Sequence, residues 1–113
     1  MLQMEIPRQE WGSTLRRFSE IHEGWLASVE VCSPEMGSLP EIMNLPLLGV
    51  SFETNHHTTV FISAGPSYEY HVTHAVQQPT RIWLERADDG RDVGLEVEAQ
   101  GVTTVVRVTP IPR

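Results

Sequence analysis

The stretch TRIWLERADDGRDVGLEVEAQGVTTVVRVT, residues 80–109, decides the fold. Asp89-Gly90 is a dipeptide favoured in two-residue hairpin turns. Pairing about it sets Ile82 against Val97 and Leu84 against Leu95. Gln100-Gly101 offers a second tight turn, and pairing about that one sets Leu95 against Val106 and Val93 against Val108. Two independent turns therefore predict one continuous apolar face. A slip of one residue in either register would send these side chains to water. The expected result is a three-stranded meander over 80–88, 92–99 and 102–109.

Toward the N-terminus, Gln77-Gln78-Pro79 ends a strand, because proline cannot donate to a central ladder. The segment 68–76 alternates, with Tyr68, Tyr70, Val72, His74 and Val76 on one face and Glu69, His71, Thr73 and Ala75 on the other. Strands at 45–54 and 58–63 form a hairpin about Asn55-His56-His57, pairing Phe52 with Val60 and Val50 with Ile62. The segment 33–44 carries Pro34, Gly37 and Pro40 and little periodicity, which predicts a loop. Before it, 25–32 reads as a strand with Trp25, Ala27, Val29 and Val31 inward.

A helix is expected over 8–22. Pro7 suits its first turn, Trp11, Leu15, Phe18 and His22 form one stripe, and Gly24 supplies a left-handed stop. Residues 1–6 read as a lead-in. The fold class is α+β: an N-terminal helix packed on an antiparallel sheet or partial barrel of six to seven strands, ending in the meander. With 113 residues the chain fits a single domain, 1–113.

Composition excludes several functions. The net charge of −7 disfavours binding to phosphate backbones. All eight basic residues are arginines, so lysine Schiff-base chemistry and phosphate-loop lysines are excluded. One cysteine, Cys32, cannot form an internal disulfide, which points to a reducing, cytoplasmic setting. It reads as a structural thiol. No apolar run approaches the roughly 18 residues that a membrane span needs.

His56, His57, His71 and His74 fall close together in sequence, a common hint of a metal site. On a strand, however, His71 and His74 point to opposite faces, and a site would need one histidine from each pair plus Glu53 or Glu69. No metal, cofactor or catalytic group is expected. His74 reads as a structural histidine on an apolar face, hydrogen-bonded through its ring nitrogens. Asp88-Asp89-Gly90-Arg91-Asp92 lacks the ligand alternation of a calcium loop and reads as the hairpin turn. Glu96 and Glu98 read as solvated surface. Trp83 lies on the face away from Ile82 and Leu84, with Val105 and Arg107 on the same side and Arg81 nearby, which suits an interface.

Ile6-Pro7-Arg8-x-x-Trp11, Phe18-x3-His22-x-Gly24-Trp25-Leu26, Leu45-x-Leu47-x-Gly49-Val50-Ser51 and His71-x-Thr73-His74-x-Val76-x-x-Pro79-Thr80-Arg81-Ile82 occur in this order. In this the chain resembles a family of short bacterial proteins of unknown function, DUF5335. The resemblance implies a bacterial, stand-alone domain and no particular reaction. It draws notice to His74 and Arg81 without assigning either a role.

Two functional expectations follow. One is a non-enzymatic binding or assembly domain, homo-oligomeric, that uses the sheet around Trp83 or the 33–44 segment. The other is a small-molecule-binding protein or minor enzyme with His74 in a pocket near Tyr70 and the helix.

Overall fold

The computed structural model describes residues 2–55 and 57–111, so the expectations for His56 lie outside the described residues. A strand β1 (Leu2–Glu5) is followed by a 3-10 turn at Arg8–Glu10 and helix α1 (Trp11–His22). Seven further strands follow: β2 (Leu26–Ser33), β3 (Gly37–Glu53), β4 (Thr59–Ala64), β5 (Val72–Gln77), β6 (Arg81–Arg86), β7 (Asp92–Ala99) and β8 (Val102–Thr109). They make one open antiparallel sheet in the order β1-β6-β7-β8-β2-β3-β4-β5. The sheet curls enough to bring β5 against β7. Among the described residues, no helix is long and apolar enough to cross a membrane.

The meander has the expected registers over most of its length: Ile82 faces Val97, Leu84 faces Leu95 and Leu95 faces Val106. Its first turn differs from the two-residue form. Ala87 N donates to Arg91 O and Gly90 N to Ala87 O, which makes Asp88-Asp89-Gly90 the loop, with Gly90 at φ 88°. The extra loop residue is absorbed by a bulge between Glu85 and Arg86, where the partner on β7 jumps from Gly94 to Asp92 and skips Val93. The second turn is tight as expected, with Gln100 and Gly101 both at positive φ. The β3–β4 hairpin also keeps its expected pairs, Phe52 with Val60 and Val50 with Ile62.

The helix stripe is the core of the molecule. Trp11, Leu15, Phe18 and His22 are buried, and the first three pack with Ala27, Val29, Ile62, Ile82, Leu95, Val97 and Val106. The indole Nε1 of Trp11 donates to Ile6 O at 2.9 Å, so the largest core side chain is hydrogen-bonded as well as packed.

Four expectations are corrected. The segment 33–44 is not a loop: Ser33 ends β2, and after a turn at 34–36, Gly37 onward is strand. Strand β3 changes partner along its length. Gly37–Pro46 pairs with β2 and Leu47–Glu53 with β4. Each half has one unpaired side, and an unpaired side tolerates a residue without an N–H. That is how Pro40 and Pro46 sit inside a strand of 17 residues. Residues 2–5 are not a lead-in but an edge strand, pairing Glu5 with Trp83 and Gln3 with Glu85. The strand expected at 68–76 begins only at Val72, because Gly65–Tyr70 bends tightly. A Cβ at Gly65 would lie 2.5 Å from Tyr70 O and 2.6 Å from His71 Cα, so this approach requires glycine. The strand count among the described residues is therefore eight rather than six or seven.

Where β2 parts from β3, helix α1 covers the exposed side. Ser19 Oγ accepts from Val50 N at 2.7 Å and lies 2.8 Å from Val50 O and 2.9 Å from Leu15 O. Leu47 is held at the same border, donating to Trp25 O at 2.7 Å and accepting from Gly24 N at 2.9 Å.

Candidate functional site

Cross-strand partners share a face of a sheet, so the registers place the residues of the outer side of the meander. One row runs Glu5, Trp83, Glu96, Val105, Glu30. The next runs Gln3, Glu85, Gly94, Arg107, Ser28. A third holds Arg81, Glu98, Thr103 and Cys32. Helix α1 lies against the opposite face, where Ile82, Leu84, Leu95, Val97 and Val106 form the core. Trp83, Arg81, Val105 and Arg107 therefore do share one face, as expected, and the helix does not cover it.

This face holds an unusual carboxyl group. Glu85 is only 4% exposed. Among the described residues, its Oε1 is the one buried side-chain oxygen or nitrogen without a hydrogen-bond partner. A buried unpaired polar atom is expensive, on the order of 1–3 kcal/mol. Burial holds the Glu85 carboxyl above the usual carboxylate range, and the nearby charge of Glu96 adds to this. Arg107 acts in the opposite sense. The Arg107 guanidinium is instead drawn toward Glu30, with Nη1 at 3.9 Å from Oε2, and both side chains are well exposed.

Backbone geometry explains how Glu85 is buried on an outer face. Its cross-strand neighbour is Gly94, which has no side chain to compete for the space. A Cβ at Gly94 would fall on the Val106 carbonyl oxygen and come within 3.4 Å of Glu85 Oε1. The adjoining bulge turns Val93 out of the regular pairing. The result is a cavity of about 220 Å³ lined by Glu85, Ala87, Val93, Arg107, Val108 and Thr109. Its wall is largely aliphatic, with a buried carboxyl group and one arginine.

The other expected residues are not gathered at this site. His74 is half-buried on β5, facing Ile62 across the β4–β5 pair. Tyr70 is 72% exposed and precedes that strand. A groove of about 450 Å³ between α1 and β3 is lined by Arg16, Ser19, Phe52 and Tyr68 among others, but not by His74 or Tyr70. Among the described residues, the deeply buried histidine is His22. Its Nδ1 lies 2.7 Å from Phe18 O, and its ring is tilted against Phe18 at 4.3 Å and edge-on to Trp25 at 4.7 Å. His71 Nδ1 lies 2.8 Å from Tyr68 O in the bend before β5. Cys32 is half-buried, with Sγ 3.8 Å from Ser38 Oγ. Among the described residues, no group of three or more histidine, cysteine, aspartate or glutamate side chains is set to hold a metal ion.

Sequence reasoning missed Glu85. One signal for it was present: Gly94 interrupts a strand of otherwise large residues, and such a glycine often marks a close approach. No curated protein and no solved structure matches the chain. A model of the family described as "Family of unknown function (DUF5335)" matches residues 2–111. The chain thus belongs to the DUF5335 family.

Proposed function

We propose that this chain is a non-enzymatic binding domain that meets a protein partner through the outer face of the meander, centred on Trp83, Glu85, Val105 and Arg107. The observation that carries the reading is the buried, unpartnered Glu85 on a sheet face with the helix on its other side. Aromatic and arginine side chains around a desolvated centre are what binding faces concentrate. Val105 is 7% exposed and Trp83 half-buried, which supplies that centre.

Charge favours a basic partner over a second copy of the chain. The face carries Glu5, Glu30, Glu85, Glu96 and Glu98 against Arg81 and Arg107. Two copies meeting through it would bring like charges together, which works against association. A cytoplasmic setting agrees with the single cysteine and, with a bacterial source, belongs to the same proposal.

The test compares wild-type protein with Trp83→Ala by native mass spectrometry of complexes formed in the producing cell. The partner is expected on wild type and lost from Trp83→Ala, with circular dichroism showing that the variant is folded. A partner retained equally by Trp83→Ala overturns the reading. A wild-type dimer that persists unchanged in Trp83→Ala shows that the chain self-associates elsewhere.

A further inference from the structure

We propose that the cavity beside Glu85 receives a cationic side chain, the guanidinium or ammonium end of an arginine or lysine, from the chain that docks on this face. This rests on the binding reading above and names the chemistry of its central contact.

Three observations converge on it. The first is the shape and lining of the cavity. Its volume is about 220 Å³, and Ala87, Val93 and Val108 make an aliphatic wall. Long basic side chains bury a hydrocarbon stem while keeping a charged head at its end. The stem suits that wall.

The second is the carboxyl group. Glu85 lines the same cavity with Oε1 buried and without a partner. A buried carboxylate needs an opposite charge or hydrogen-bond donors. A guanidinium brings donors in a planar fork that matches a carboxylate, and an ammonium brings three donors. Either one would supply what this site lacks. A neutral or anionic ligand would leave the surrounding glutamates unmatched.

The third is the distribution of local charge. Glu96 lies diagonally across from Glu85, beside Trp83, and Glu30 stands beyond Val105. Arg107 is the one opposing charge in the lining, and its ion pair leads outward to Glu30. That cation leans toward another carboxylate, at 3.9 Å with both side chains exposed, and leaves Glu85 Oε1 without a hydrogen bond, open to an external donor. These 113 residues contain no lysine, so a lysine ligand would come from outside them.

The probe is n-butylguanidinium, with n-butylurea as its uncharged analogue of nearly the same shape. Both are titrated into the full chain, and the side-chain carboxyl carbon of Glu85 and the methyl groups of Val93 and Val108 are followed by NMR. The guanidinium is expected to shift these resonances saturably in the millimolar range, as suits a fragment of this size. It is also expected to move the Glu85 titration to lower pH. The urea should bind at least about tenfold more weakly, the loss of roughly 1.4 kcal/mol of charge pairing. Glu85→Gln, checked for fold by circular dichroism, should abolish the preference for the cation. Arg107→Gln should strengthen guanidinium binding several-fold by removing a like charge.

Equal binding of the two probes, or an unchanged preference in Glu85→Gln, overturns the assignment of a cation. Absence of any shift at Glu85, Val93 and Val108 overturns the pocket altogether. Neither result bears on whether Trp83→Ala loses its protein partner, so the two proposals fail separately. Weaker guanidinium binding in Arg107→Gln would show that Arg107 helps to hold the ligand, which also contradicts the proposal.

Discussion

Replacing Ser19 by alanine removes the hydroxyl that ties helix α1 to the middle of β3. That oxygen accepts from Val50 N at 2.7 Å, and its single proton is shared between Val50 O at 2.8 Å and Leu15 O at 2.9 Å. Leu15 O keeps its place in the helix ladder, so the losses fall on Val50. Two backbone groups lose a partner where β2 no longer pairs with β3. Each loss is worth about 1–3 kcal/mol when the group stays dry. The site is part-buried, which lets water recover some of this, and alanine returns roughly 0.5 kcal/mol of helix propensity over serine. The expected net destabilisation is about 2–3 kcal/mol, which for a domain of this size lowers the melting temperature by roughly 6–15 °C. Urea unfolding followed by far-UV circular dichroism measures it, with an unchanged slope expected. Ser13→Ala is the control, since Ser13 Oγ is exposed and bonds only Glu10 O at 3.2 Å. A Ser19→Ala variant within about 0.5 kcal/mol of wild type would refute the claim that this hydroxyl seals the open side of β3.

The remaining predictions concern the outer face. Because burial raises the Glu85 pKa from its ordinary value of 4.5, the folded state favours the protonated form. The stability this contributes is complete below that ordinary value and is lost as pH rises through the raised one. Glu85→Gln should therefore be more stable than wild type at pH 7, by about 1–2 kcal/mol, and the gap should close near pH 4. Urea midpoints at the two pH values decide it, and a constant gap would contradict the assignment. Gly94→Ala places a methyl group on the Val106 carbonyl oxygen. It should destabilise by about 2 kcal/mol or more and alter the Glu85 carboxyl resonance; a thermal melt matching wild type would show that the strand yields there. Trp83→Ala should stay folded by circular dichroism, at a cost of about 1–2 kcal/mol for the half-buried indole, while losing its partner.

Much of the fold was legible from short stretches of chain. Asp89-Gly90 and Gln100-Gly101 bracket β7, and the alternation of apolar residues between them admits one register. The bulge at Val93 shows the limit of such reading. The turn type was mistaken by one residue, yet Ile82 still met Val97, because the core face is buried and tolerates no slip. The candidate site was legible only in part. Trp83, Val105 and Arg107 were placed on one face by pairing arithmetic. His74 drew attention by residue type, but the bend at Gly65–Tyr70 shortened its strand and separated it from the 450 Å³ groove.

By itself the sequence determined the helix stripe, the β3–β4 hairpin and the meander, since each depends on periodicity and on turns within about 20 residues. Only the tertiary structure decided that 37–46 is strand, that 2–5 joins the sheet and that Glu85 is buried. Those outcomes depend on distant partners. Pro40 and Pro46 are tolerable once β3 changes from β2 to β4, and Leu2–Glu5 becomes a strand because β6 has a free side. Glu85 is covered because Gly94, on the neighbouring strand, leaves room for its carboxyl group. Local chemistry selects strands and turns, but an unpaired edge or a desolvated charge exists only after the strands have taken their order.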